Sequence, residues 1–180
     1  MPLLELSVKE DPEDDRNMHY LGREYMYYGM WEECINTLKK HLNLKSAKWN
    51  LERAASMRFI ARSYINLNNL VEAEFWYKLA IKESPNSREG YVELGMLYYS
   101  EKRWLDSISY LLKSLTIKEK DLIYINEVFC WDCTIDDLLS INYYNIELYD
   151  LALFHINKAL KYDKNNKRLL DNKKLIESKI

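Results

Sequence analysis

Five residues able to recognise an anion stand in two short stretches: Arg16, His19 and Arg23, then Arg58 and Arg62. A guanidinium offers a planar fork of donors matched to a carboxylate or a phosphate, so an acidic ligand is the chemistry this set suits. The segment DLIYINEVFCWDC, 121–133, gathers Tyr124, Phe129 and Trp131 around Glu127 and Asp132. It also carries Cys130-x-x-Cys133, a pair that by its letters could hold a metal or a disulfide. Zinc requires two further ligands nearby, and a redox pair requires a βαβ setting. The three histidines are scattered along the sequence, and no Ser-His-Asp set or pair of acid–base carboxylates stands out. No catalytic residue, metal site or cofactor is therefore expected.

The elements that must position these residues are helical. Only 4 Gly and 3 Pro occur in 180 residues, which leaves too few turn signals for a sandwich or barrel. No Gly-rich phosphate loop is present. A hydrophobic content of 48% argues against disorder. With 26 Lys and Arg against 28 Asp and Glu, the formal charge of −2 argues against a dedicated nucleic-acid binder. No apolar run approaches the roughly 18 residues that span a bilayer, so no membrane partner is expected. The start, MPLLELSVKEDPEDD, has acids where a signal peptide needs a basic start, and a cytoplasmic location is expected.

An internal repeat gives the register. MHYLGREY (18–25), MRFIARSY (57–64), YVELGMLY (91–98) and DDLLSINY (136–143) share a small residue followed three places later by Tyr. The small residues are Gly22, Ala61, Gly95 and Ser140; the tyrosines are Tyr25, Tyr64, Tyr98 and Tyr143. Twelve places after each small residue comes another compact one (Cys34, Ala73, Ser107, Ala152), and four further a larger apolar one (Leu38, Tyr77, Leu111, Ile156). This pattern resembles the tetratricopeptide repeat, a pair of antiparallel helices of about 34 residues. The expected fold is all-α, a right-handed superhelical solenoid of such pairs. It comprises a leading half-repeat (2–12), repeats at 15–46, 54–87, 88–119 and 133–164, an insertion at 120–132 and a capping helix at 165–180. The half-repeat lacks its first helix, which suggests a start within a longer polypeptide.

First-helix residues one step off the buried face are expected to line a concave groove. In the first two repeats these include Arg16, His19, Arg23, Arg58 and Arg62, and in the later ones Glu89, Val92 and Asp137. The aromatic insertion is expected either to close over the groove or to plug exposed helix ends. Trp31 and Trp104, three places before the compact residue of the second helix, are expected in the core.

HYLGREYMYYGMWEECINTLKKHL (19–42), ERAASMRFIARSY (52–64), EAEFWYKLAIKESPNSREGYVELGMLYY (72–99) and YINEVFCWDCTIDDLLSI (124–141) also resemble a particular setting of the repeat. They are similar to the region C-terminal to the catalytic domain of bacterial family 2 glycosyltransferases. That resemblance implies a non-catalytic accessory module that packs on the catalytic domain of the same polypeptide or helps bind acceptor. It implies a polar site at His19, Arg23, Arg58, Arg62, Glu93, Glu127, Trp131 and Asp137. The alternatives are a free-standing adaptor taking a protein or peptide in its groove, and a homodimerisation module.

Overall fold

The structure, a computed structural model, describes residues 1–120 and 123–180. Residues 121 and 122, in the expected insertion, lie outside the described residues. The described residues form ten α-helices and one 3₁₀ turn, without a strand. The chain divides into two compact units, Met1–Gly90 and Tyr91–Ile180.

The first unit holds α1 (Pro2–Glu10), α2 (Asp15–Tyr27), α3 (Trp31–Asn43), α4 (Asn50–Asn66) and α5 (Leu70–Glu83). Asp14 caps α2, its side chain accepting from the Asn17 amide at 2.9 Å, and Asn69 caps α5 through the Glu72 amide at 3.2 Å. Such caps satisfy amides that the first helical turn leaves without partners. Helices α2 with α3 and α4 with α5 form antiparallel hairpins, and α2 also packs on α4. The small residue of the repeat sits at each hairpin's closest approach. A Cβ placed on Gly22 would collide with the Leu38 side chain, four places beyond the compact Cys34. Cys34, Leu38, Ala61, Ala73 and Tyr77 are all buried. Arg53 ties the join between α3 and α4 to α5: it donates to the carbonyls of Leu42 and Ala47 and pairs with Glu83 at 2.6 Å.

The second unit holds most of α6 (Arg88–Ser100), then α7 (Trp104–Ser114), the 3₁₀ turn Val128–Cys130, α8 (Thr134–Asn145), α9 (Tyr149–Tyr162) and α10 (Lys167–Glu177). Its core gathers Ile108, Leu111, Ile135, Leu139, Ile156 and Leu169. A Cβ on Gly95 would stand 2.8 Å from Leu111 Cγ, the same contact as Gly22 makes with Leu38. Ser107 donates to the Gly95 carbonyl at 2.8 Å and accepts from Asn142 Nδ2 at 2.8 Å, so the compact slot also joins α6, α7 and α8 by hydrogen bonds. Cys130 is fully buried in this core, with Phe129 and Trp131 packed at its edge. The 3₁₀ turn thus belongs to the second unit's core. Helix α10 buries Leu169 and Ile176 and leaves its other face in solvent.

Every hairpin turn has the same chirality device. Gly29, Asn68, Lys102 and Glu147 each follow the repeat tyrosine by four places and have φ of 73°, 57°, 59° and 63°. The next residue's amide returns to the tyrosine carbonyl: Met30 to Tyr25 at 2.9 Å, Asn69 to Tyr64 at 2.8 Å, Arg103 to Tyr98 at 2.9 Å and Leu148 to Tyr143 at 3.0 Å. This is the Schellman arrangement, which satisfies the last carbonyls of one helix and turns the chain into the next.

Trp31 and Trp104 are half-buried rather than core, because they open their helices at the rim of the hairpin; Trp104 meets Tyr99 edge-on at 5.7 Å. Tyr25 and Tyr64 are also only half-buried. Their hydroxyls reach out to polar partners, Tyr25 donating to Glu5 at 3.1 Å and Tyr64 accepting from Lys39 at 2.9 Å. Tyr98 and Tyr143 are buried.

Candidate functional site

The first-unit residues of the expected groove lie on α2 and α4, which pack side by side. Arg16 is exposed. Arg23 is half-buried, its guanidinium 5.0 Å from the Tyr20 ring centre and 5.9 Å from that of Tyr27. Its Nε is buried without a hydrogen-bond acceptor, and its terminal nitrogen stands 3.9 Å from Glu24. Across on α4, Arg58 and Arg62 flank Phe59, at 5.7 and 5.3 Å from its ring centre. Arg62 is half-buried, whereas Arg58 is 3% exposed.

His19 is not a groove residue. It is fully buried, because the flank of α2 that carries it faces α4 rather than solvent. Its Nδ1 lies 2.7 Å from Ser56 Oγ, and the same hydroxyl lies 3.0 Å from His41 Nδ1. His41 is also fully buried, its Nε2 3.6 Å from the Glu52 carboxylate. The structure therefore brings His19 and His41 together, 5.5 Å between ring centres, although they are 22 residues apart in sequence. Burial pushes the His19 pKa down to about 3; Glu52 opposes that shift, while His41, Arg23 and Arg58 add to it. His19 is neutral at ordinary pH. Asp15, His41 and Glu52 place ligand atoms within 4.8 Å of one another. Ser56, Glu52 and Asp15 carry no repeat signature that would single them out in the sequence.

The second-unit residues take different roles. Asp137, expected in the groove, is buried and clasped by Arg168 of α10 at 2.6 and 3.2 Å. The capping helix reaches back over the start of α8 and occupies that carboxylate. Glu93 is buried, and Glu127 and Trp131 are half-buried, with Lys120 5.6 Å from the Trp131 ring centre. Cys130 and Cys133 are both free thiols. Burial and the adjacent Asp132 raise the Cys133 pKa, the reverse of what a reactive thiolate needs. The sequence reading also missed Asp136. This residue occupies the apolar first slot of the fourth repeat and accepts from His155 Nδ1 at 2.7 Å and Lys158 Nζ at 3.0 Å.

Residues 59–87, from within α4 through α5, match the tetratricopeptide repeat family. Over nearly its whole length the chain superposes on solved proteins built from such repeats. The fold is a tetratricopeptide-repeat fold. MamA is 20% identical, over 92% of this chain and 87% of its own, with a TM-score of 0.71. TTC0263, a thermophilic tetratricopeptide-repeat protein of Thermus thermophilus, is 18% identical, over 99% of this chain and 87% of its own, at 0.63. A chain of the APC/C hetero-tetramer Cut9–Hcn1 is 15% identical, over 97% of this chain and 32% of its own, at 0.71. A comparison with curated proteins found no match. Among the described residues no helix is long and apolar enough to cross a membrane.

Proposed function

We propose that the chain is a non-catalytic interaction module that takes an acidic segment of a protein partner on the α2–α4 face of its first unit. The observation that carries the reading is Arg23. Its guanidinium is held over Tyr20, and its Nε–H is buried without an acceptor. The side chain keeps 26% of its surface exposed, so a carboxylate that reaches its terminal nitrogens gains a charge-assisted hydrogen bond at little cost in side-chain freedom. Arg62, half-buried beside Phe59, and exposed Arg16 extend the same surface. A chain of like fold belongs to the Cut9–Hcn1 hetero-tetramer, which supports a protein as the partner class. The test is fluorescence anisotropy with a labelled Asp/Glu-rich peptide and a neutral peptide of the same length. The acidic peptide should bind more tightly, weaken as salt rises, and lose about five-fold or more with Arg23→Ala or Arg62→Ala. Equal binding of the two peptides would overturn the reading.

A narrower version makes the module the C-terminal accessory region of a family 2 glycosyltransferase, packed on the catalytic domain or helping to bind acceptor. What supports it is the likeness of segments 19–42, 52–64, 72–99 and 124–141. An antibody raised to this chain tests it in lysate of the source organism. A band well above 21.7 kDa carrying glycosyltransferase peptides would support it, and a band at 21.7 kDa would leave a free-standing cytoplasmic adaptor. Sedimentation of the purified protein decides whether it also pairs with itself.

A further inference from the structure

Three helices of the first unit converge on one small polar site. Asp15 opens α2, His41 lies in the last turn of α3, and Glu52 lies in the first turn of α4. Their nearest ligand atoms lie within 4.8 Å of one another. His41 and Glu52 are buried, and Asp15 is partly open to solvent. Two carboxylates beside one imidazole is a donor set for a borderline first-row divalent cation.

A second observation singles the site out. The His41 ring is fully buried, yet its Nε2 makes no hydrogen bond. That nitrogen stands 3.6 Å from a Glu52 carboxylate oxygen, too far for a hydrogen bond. A buried polar atom left in this condition calls for an explanation. The opposite nitrogen, Nδ1, is 3.0 Å from Ser56 Oγ.

We propose that Asp15, His41 and Glu52 bind a single Zn²⁺-like divalent cation that clips α2, α3 and α4 together, with Ser56 and His19 as the hydrogen-bond chain that sets the His41 tautomer. Coordination through Nε2 needs its lone pair, so the His41 proton sits on Nδ1 and is donated to Ser56 Oγ. The Ser56 hydroxyl then donates to Nδ1 of His19, 2.7 Å away. Metal-bound histidines characteristically give their second ring nitrogen to such a partner, which fixes ring orientation. Two positive charges on the ion balance the two carboxylates. A four-coordinate shell has ligand atoms about 3.3 Å apart, so the site contracts on binding. Asp15, partly exposed on a first turn, is the arm with room to move, and water completes the shell from its side.

The full-length protein, stripped of metal with a chelator, tests this by titration with Zn²⁺ in a calorimeter and with Co²⁺ by visible absorption. One ion per chain is expected, with the strong Co²⁺ bands of four-coordinate geometry and a displaced His41 Nε2 resonance in nitrogen NMR. Asp15→Asn should weaken Kd by about ten-fold or more while the metal-free melting temperature stays put. Glu52→Gln should weaken it as well, and comparison of its circular dichroism with the parent's separates lost binding from lost folding. The proposal is overturned by absence of one-to-one uptake. It is equally overturned by uptake that Asp15→Asn leaves unchanged and that does not move the His41 signal, which would place the ion elsewhere, for example at Cys133.

Discussion

Asp136 on α8 accepts a 2.7 Å hydrogen bond from Nδ1 of His155 on α9, in the heart of the second unit. The imidazole lies against Tyr143 with ring centres 5.4 Å apart and planes within 15°. Burial alone would raise the Asp136 pKa, but hydrogen bonds from His155 and Lys158 overcome it and hold the carboxyl below the ordinary value of 3.8. A carboxyl depressed in the fold stabilises at pH above its unfolded value and loses that contribution as pH falls through its folded one. Asp136→Asn should therefore cost about 2–3 kcal/mol near neutral pH. Urea melts at pH 7 and pH 3 measure both effects, and the variant's deficit should shrink at the lower pH.

His19 acts in the same sense but in a higher pH window. Its value of about 3 in the fold lies below the free value of 6.5, so between these the unfolded chain holds a proton that the fold does not. Stability is full above pH 6.5 and declines as pH falls below it, by up to about 1.4 kcal/mol per pH unit from this group alone. Urea melts from pH 7.5 to 5 should show that slope, and His19→Gln should flatten it.

Gly95 is held against Leu111 so closely that an added Cβ would stand 2.8 Å from Leu111 Cγ. Gly95→Leu should force α6 and α7 apart and cost about 1–3 kcal/mol, read as a drop in melting temperature. Gly22→Ala should also destabilise, since its Cβ meets Leu38 head-on. In either case an unchanged melting temperature would show that the hairpin register is wrong.

The hairpin turns offer a gain. Lys102 and Glu147 hold φ of 59° and 63°, a region costly for side chains other than Gly or Asn. Lys102→Gly and Glu147→Gly should each stabilise by about 0.5–1 kcal/mol, while Gly29→Ala, at φ 73°, should destabilise by about as much. Thermal melts of the three variants beside the parent decide this.

Much of the helical framework is legible in one dimension because each hairpin repeats a local steric rule. A small residue, a tyrosine three places on, and a compact residue at twelve are requirements of two helices in close contact, and those contacts are short-range in sequence. Gly22 facing Leu38 and Gly95 facing Leu111 follow from that spacing alone. The turns were only half legible: Gly29 and Asn68 are residue types that favour positive φ, whereas Lys102 and Glu147 are not, and the closed turn imposes the conformation on them. The buried polar sites were not legible. Whether a residue one step off the buried face meets solvent depends on the next helix over, which the repeat pattern does not specify. Thus His19 is buried where α2 meets α4, Arg58 is buried as well, and Asp137 is taken up by Arg168, 31 residues away. The convergence of Asp15, His41, Ser56 and Glu52 is a meeting of three helices whose polar residues follow no period. The sequence determined the helix pairs through local packing; the packing of one pair on the next decided which polar side chains stand together, because charge and hydrogen-bond partners are chosen by distance in space.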